Sequence, residues 1–288
     1  MKRIYMAMAA LLVAGASFAQ TPSEKVQTDT SGRVDTIRAG NFIIIKKGRD
    51  RNTGGTSSSG TNTMINIKRK PYSFSKISTN WWIFDLGFAN VNDKTDYAGT
   101  GAQSFLKSVG PGGKPGKDDL KLRQSKSSNL NIWLVMQRLS IAKGYVNLKY
   151  GLGLEMFNLR YENSIRYNES PNYIYKDSIS FSKNKLYAGY ATVPFMININ
   201  TSPGKKALSF SAGISAGYLV GSHTKEISSQ RGKEKTKGDL GLEKFRLAYV
   251  GELAIGPIRL FGSYALTKLH ENGLEQYPYS LGIRFSNW

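Results

Sequence analysis

The chain closes on Tyr277-Pro-Tyr-Ser-Leu-Gly-Ile-Arg-Phe-Ser-Asn-Trp288. Read at every second residue, Tyr279, Leu281, Ile283 and Phe285 fall on one face of a strand, and Ser280, Gly282, Arg284 and Ser286 fall on the other. One face is apolar and aromatic; the other is small, polar and charged. Such a strand needs neighbours along both edges and an apolar medium against one face.

Seven more stretches upstream carry the same period. They are about Asn80–Asn90, Asn129–Leu139, Tyr145–Phe157, Lys185–Asn200, Leu208–Gly221, Phe245–Ile255 and Ile258–Leu266. In Tyr145–Phe157 the alternation runs over more than ten residues: Val146, Leu148, Tyr150, Leu152, Leu154 and Met156 oppose Asn147, Lys149, Gly151, Gly153 and Glu155. Strands of soluble sandwiches alternate over roughly four to eight residues, whereas a tilted span of a bilayer needs about 9–11. In the first stretch Trp82, Phe84, Leu86 and Phe88 alternate with Trp81, Ile83, Asp85 and Gly87. The second and fourth do not declare their phase. For the second, Leu130, Ile132, Leu134 and Met136 are expected outward, with Asn131, Trp133 and Gln137 inward.

The connections supply an independent test. Long ones, about Val91–Ser128, Arg160–Asn184, Ser222–Lys244 and Thr267–Gln276, alternate with short ones at Ser140–Gly144, Thr201–Lys206 and Gly256-Pro257. Long loops on one side, short turns on the other and an even strand number are the pattern of outer-membrane barrels. An open sheet edge in hydrocarbon would leave backbone groups unpaired at several kcal/mol each, so closure follows. The fold expected is all-β: an eight-stranded antiparallel transmembrane β-barrel over residues 80–288, its narrow interior filled by side chains rather than open as a pore. A final amphipathic strand ending on an aromatic residue also resembles the C-terminal insertion signal of such barrels, which implies the barrel-assembly machinery as a partner during insertion.

The N-terminus reads as export. Lys2 and Arg3 precede an apolar run from Met6 to Val13, and Ser17-Phe18-Ala19 forms a small-residue cleavage site before Gln20. Residues 1–19 are therefore expected to be a signal peptide. Residues 20–79 are expected to be a largely flexible periplasmic segment, with low-complexity sequence at Arg51–Thr63 and one β-prone island at Asp35–Lys47. The chain contains no cysteine, which excludes disulfides, thiolate metal sites and a lipidated N-terminal cysteine. Its formal net charge is +20. In a cytosolic protein that excess would point to nucleic acid. Export turns the expectation to outer-membrane lipid and lipopolysaccharide, with no nucleic-acid partner.

The candidate site residues fall into three groups. Asp85, Lys149, Glu155, Arg246, Glu252, Arg259 and Arg284 share the inward face. Charges held inside a narrow barrel must pair, so an ionic network filling the lumen is expected; a proton path or a catalytic carboxylate is the alternative. Lys114, Lys117, Lys121 and Arg123 in the first long loop, with Lys233 and Lys235 in the third, are either ordinary solvated loop residues or a cationic crown for lipopolysaccharide phosphates. His223 and His270 are the two histidines, both expected in extracellular loops, and a lipid A-modifying site would have to use one of them. The spacing of Ser222, Ser228, Glu226 and Glu243 around His223 matches no nucleophile motif. No enzyme activity, metal or cofactor is expected. The run Gly110-Pro-Gly-Gly-Lys-Pro-Gly-Lys117 lacks the spacing and context of a phosphate loop and is expected to be a flexible tip.

Two stretches, Ser78-Thr-Asn-Trp-Trp-Ile-Phe-Asp-Leu-Gly-Phe88 and Leu186-Tyr-Ala-Gly-Tyr-Ala-Thr-Val-Pro-Phe-Met-Ile197, resemble the small outer-membrane β-barrel proteins grouped with PorT. The resemblance covers about residues 35–288. It implies a barrel, and it suggests an accessory role in protein secretion with a periplasmic or secretion-system partner through Asp35–Lys47.

Overall fold

The computed structural model describes residues 75–203 and 208–286, together with the strand backbone of Val34–Ala39, Phe42–Lys47 and Lys68–Arg69. The expected leader, the Arg51–Thr63 run and Trp288 lie outside these residues. Two compact units divide the chain, Met1–Pro71 and Tyr72–Trp288.

In the second unit eight long strands form one ring. They are β1 (Ile77–Asp93), β2 (Ser128–Ala142), β3 (Val146–Arg160), β4 (Lys183–Asn200), β5 (Ser209–Ser228), β6 (Phe245–Ile255), β7 (Ile258–Ala265) and β8 (Gln276–Phe285). Each pairs antiparallel with its sequence neighbours, and β8 pairs with β1 from Gln276↔Asp93 to Phe285↔Phe84. That last ladder closes the barrel, so none of the eight is left with a bare edge along its whole length. The seven short or long connections fall as the sequence predicts, with the three short turns at one end and the four long loops at the other. Turn chemistry explains two of the short ones. Lys143 and Gly144 both take positive φ, 45° and 83°, in the hairpin closed by Tyr145 N–H donating to Ala142 O at 2.8 Å, and this primed geometry matches the right-handed strand twist. Gly256, at φ 59°, does the same before Pro257.

Alternation sorts the two faces of the wall. On β8, Leu281, Ile283 and Phe285 are 64%, 48% and 55% exposed, whereas Ser280 and Arg284 are 4% and 6% exposed. On β4 the phase is now fixed: Val193, Phe195, Ile197 and Ile199 are exposed, and Thr192, Met196 and Asn198 are buried. A closed wall with exposed aliphatic and aromatic side chains outside and polar ones inside is an inside-out protein. Only hydrocarbon makes that arrangement favourable. The outward aromatics include a cross-strand row, Tyr249↔Tyr264↔Tyr279, towards the long-loop end, and Trp81, Trp82, Tyr145 and Phe285 towards the short-turn end.

Bulges correct three of the expected side-chain directions. Trp82 has φ 57°, and both Trp81 and Trp82 are exposed, so Trp81 does not face inward. The β2–β3 register slips between Trp133 and Val135. Below that slip Met136 is fully buried inside, not outward, and Gln137 faces out, where its Nε2 donates to Thr79 Oγ1. One extra residue reverses every later side chain.

The long loops do not hang free. They include a short helix, α1 (Thr100–Phe105), and a two-stranded hairpin, Ile165–Glu169 with Asn172–Lys176. Ala102, Phe105, Leu106, Leu120, Leu122, Ile165, Ile174, Leu240, Leu242, Leu269 and Leu274 are buried in one apolar cluster that continues down to Phe157, Leu186 and Tyr190 inside the wall. The Gly110–Lys117 segment, expected as a loose tip, begins with a 3-10 turn at Gly110–Gly112. A side chain at Gly112 would collide with the Lys176 carbonyl. The barrel thus carries a folded cap.

Candidate functional site

The polar centre of the lumen draws side chains from all eight strands. Asp85 (β1) and Arg284 (β8) face each other across the closing ladder. Arg284 Nε and Nη2 each donate at 2.7 Å to the two Asp85 oxygens, a bidentate pair. Asp85 is further held by Trp133 Nε1 at 2.7 Å and Asn131 Nδ2 at 3.2 Å. Arg284 also pairs with Glu252 on β6, which accepts from Lys149 Nζ of β3 at 2.6 Å. Ser211 Oγ bridges Lys149 and Glu252. Four charges, two of each sign, form this chain. A second pair lies alongside, with Arg246 Nη1 donating to Glu155 Oε2 at 2.7 Å while Thr192 Oγ1 donates to the same oxygen. The Arg246 guanidinium also sits 4.8 Å from the Phe157 ring centroid.

Six of the seven predicted lumen charges are therefore brought together and paired. Arg259 is half-buried and stands outside these pairs, towards the short-turn end where it faces Ala254. Ile83, Trp133, Met136 and Met196 form an apolar cluster beside the network on the short-turn side, and the cap core closes the long-loop side. The cavity between Asn131, Trp133, Glu155, Met196, Glu252 and Arg284 has a volume of about 10 Å³. That is at the lower limit for one water molecule.

The predicted basic residues separate into two places. Lys117, Lys121 and Arg123 line an open cleft on one flank of the cap, and neighbouring groups engage this segment. Lys121 Nζ is 2.7 Å from Asp118, Lys114 binds Gln103, and Arg123 Nη2 donates to the Glu162 carbonyl. Lys233 and Lys235 lie elsewhere, on a small strand (Gly232–Glu234) and its continuation beside the upper part of β5.

One of the two histidines departs from the expected loop position, and the other keeps it. His223 lies within β5, not in a loop, and its ring stacks on Tyr187 with centroids 4.6 Å apart. Ser222 Oγ donates instead to the Gly238 carbonyl. His270 is fully buried in the cap core, stacked on Tyr167 at 5.9 Å with Nε2 3.1 Å from the Tyr167 hydroxyl, which in turn meets Tyr161 at 2.6 Å. Burial pushes the His270 pKa down to about 3, partly opposed by Asp93, so at neutral pH the ring is a neutral packing group. Sequence reasoning missed this aromatic cluster because its members come from loops with no repeating period. Among the described residues no group of His, Asp and Glu has metal-ligand geometry.

Geometry defines the class: a closed, plugged membrane barrel of the outer-membrane type, with a folded cap. No protein-family model matches the chain, and no curated protein matches it. Among solved structures it is similar to Ail, the attachment invasion locus protein of Yersinia pestis, with 15% identity, a TM-score of 0.29, and coverage of 72% of this chain and 98% of that one. The fold assignment rests on the strand ladder itself.

Proposed function

We propose that the chain is a non-porous barrel of the bacterial outer membrane, with a structural or interaction role at the cell surface and no enzymatic one. The cap then faces outward and both termini face the periplasm. One observation supports this reading above the rest: paired charges occupy the lumen between two apolar clusters, and the cavity among Asn131, Trp133, Glu155, Glu252 and Arg284 holds only about 10 Å³. A conduit needs a continuous wet path, and general acid–base chemistry needs a group that substrate can reach. What remains available to a partner is the outer surface of the cap. Refolded protein in a planar bilayer is expected to show heat-modifiable migration on gels and no unitary conductance. Stable ohmic steps would overturn the non-porous reading.

A second reading, the secretion accessory that the PorT resemblance implies, draws on a different segment. Val34–Ala39 pairs with Phe42–Lys47 from Val34↔Lys47 to Ala39↔Phe42, and it lies at the edge of its three-stranded sheet. An edge strand is a template for a partner's strand. This reading requires that deleting Asp35–Lys47 remove co-purifying proteins, and an unchanged set would count against it.

A further inference from the structure

Above the apolar belt, β4 and β5 run on as a sheet that the small strand Gly232–Glu234 extends. The register gives three rows across this sheet. Lys183 faces Ile227, which faces Lys233; Tyr187 faces His223, which bridges to Lys237. Between them Lys185 faces Lys225, and the ladder through Glu226↔Glu234 sets Lys235 beside Lys225. Burial alternates: Asn184, Leu186, Thr224, Glu226 and Ser228 are buried inward, so the six lysines share the outer face.

This arrangement depends on a bulge. The β4–β5 register shifts between Leu219 and Gly221, so Val220 is an extra residue. Were residues 218–226 to alternate without a bulge, the phase that sets Tyr218 outside would turn Lys225 inward and Glu226 outward. The bulge instead segregates the charges. Glu226 is buried on the inner side, and Glu234 meets Arg166 at 3.2 Å. On the outer side Lys185 donates to the neutral Asn158 side chain at 2.8 Å. Like charges directly opposite one another weaken a sheet, and their mutual repulsion is visible here. Lys233, Lys183 and Lys235 hold the Lys225 pKa below its usual value, and burial together with the surrounding lysines lowers that of His223 to about 4.

We infer that this lysine face binds the phosphates of a multiply phosphorylated glycolipid in the outer leaflet. Neighbouring strands lie about 4.8 Å apart and alternate residues about 6.6 Å apart, so the array covers a patch of about 10 by 13 Å, on which more than one phosphate can meet lysines at once. The occupant is a lipid rather than a soluble polyanion because the face is continuous with the hydrocarbon-facing wall. Directly below it, the same outer surface carries Ala191, Val193 and Phe195 on β4, and Tyr218 and Val220 on β5. A lipid whose chains lie on that wall has its headgroup at the lysines. The inference rests on the proposed orientation, with the cap outward.

The full chain in nanodiscs, probed by native mass spectrometry with diphosphoryl lipid A and with its dephosphorylated form, tests this. A triple Lys185→Gln, Lys225→Gln, Lys235→Gln variant is expected to retain diphosphoryl lipid A at least about tenfold less well, as loss of several charge-assisted contacts implies. A Lys114→Gln, Lys117→Gln, Lys121→Gln variant with the same charge loss is expected to stay within about twofold, because removed charges at a distance are screened. Equal losses in both variants, equal retention of the dephosphorylated lipid, or equal competition by soluble polyphosphate would each overturn the inference. Heat-modifiable migration is read on the same samples. If it persists while lipid retention fails to discriminate, this inference falls and the barrel reading stands.

Discussion

Replacing Arg284 with methionine is expected to destabilise the barrel by about 3–5 kcal/mol, because it leaves buried carboxylates without their cation. Asp85 is completely buried and takes two hydrogen bonds from Arg284 at 2.7 Å, and Glu252 loses its contact with the same guanidinium. Trp133 and Asn131 still donate to Asp85, and Lys149 still pairs Glu252. The loss is therefore large without being total. The revealing comparison is the double variant Asp85→Leu with Arg284→Met, which removes the charge pair together. Swapping a whole buried pair for apolar groups of similar volume is commonly neutral or stabilising, so the double variant should recover most of what the single one loses. Urea titration in lipid vesicles, followed by tryptophan emission, gives both values. Equal stability of Arg284→Met and the native chain would mean that the pair is not buried as described.

Substitution of Phe105 by alanine is expected to cost a similar amount, about 3–5 kcal/mol for a buried aromatic, and to do so in a different place. Phe105 ends α1 and is 4% exposed; its ring centroid lies 5.5 Å from that of His270. A side chain at Gly273 would collide with Phe105, and a Cβ at Gly241 would stand 3.3 Å from its ring. The next residues tie loop to hairpin, since Leu106 bridges Ile174 and Lys107 N–H donates to the Ile174 carbonyl at 2.9 Å. Removing the ring should open the cap and leave the strand ladder standing. Limited proteolysis would then cleave within residues 94–127 and 161–182 at native conditions, while heat-modifiable migration persists. Loss of both together would mean that cap and barrel are a single cooperative unit.

These two variants also mark what the residues disclose unaided. The strands were legible because their period of two runs long, as in Val146–Met156, and because loop length alternates independently of it. The inward charges were legible for the same reason. Their partners were less so: Asp85 and Arg284 lie at opposite ends of the barrel sequence and meet only because β8 closes onto β1. Side-chain direction failed where one residue is inserted. Trp82, the slip near Leu134 and the extra Val220 each reverse the phase, and two phases averaged over one stretch look like none, which is why Asn129–Leu139 read ambiguously. Lys233 and Lys235 were legible as loop charge, but their place on one face with Lys183 and Lys185 was lost to the same cause, since β5 was expected to stop at Gly221, where the alternation breaks, although the strand continues to Ser228. The cap core escaped entirely. Phe105, Leu106, Leu120, Leu122, Leu240 and Leu242 are scattered among glycines, lysines and serines, and only tertiary folding of the loops brings them together.

The central claim is that a closed wall separates lipid from a plugged lumen. Since the chain has no cysteine, single cysteines on β4 can report it directly. Nitroxide labels at Val193, Phe195 and Ile197 are predicted to relax strongly with lipid-soluble oxygen and weakly with a water-soluble nickel chelate. Labels at Thr192, Met196 and Asn198 are predicted to be shielded from both. Accessibility with a period of two supports the barrel and its filled interior. Uniform accessibility along β4, or strong relaxation of the inward set by the water-soluble reagent, would contradict it.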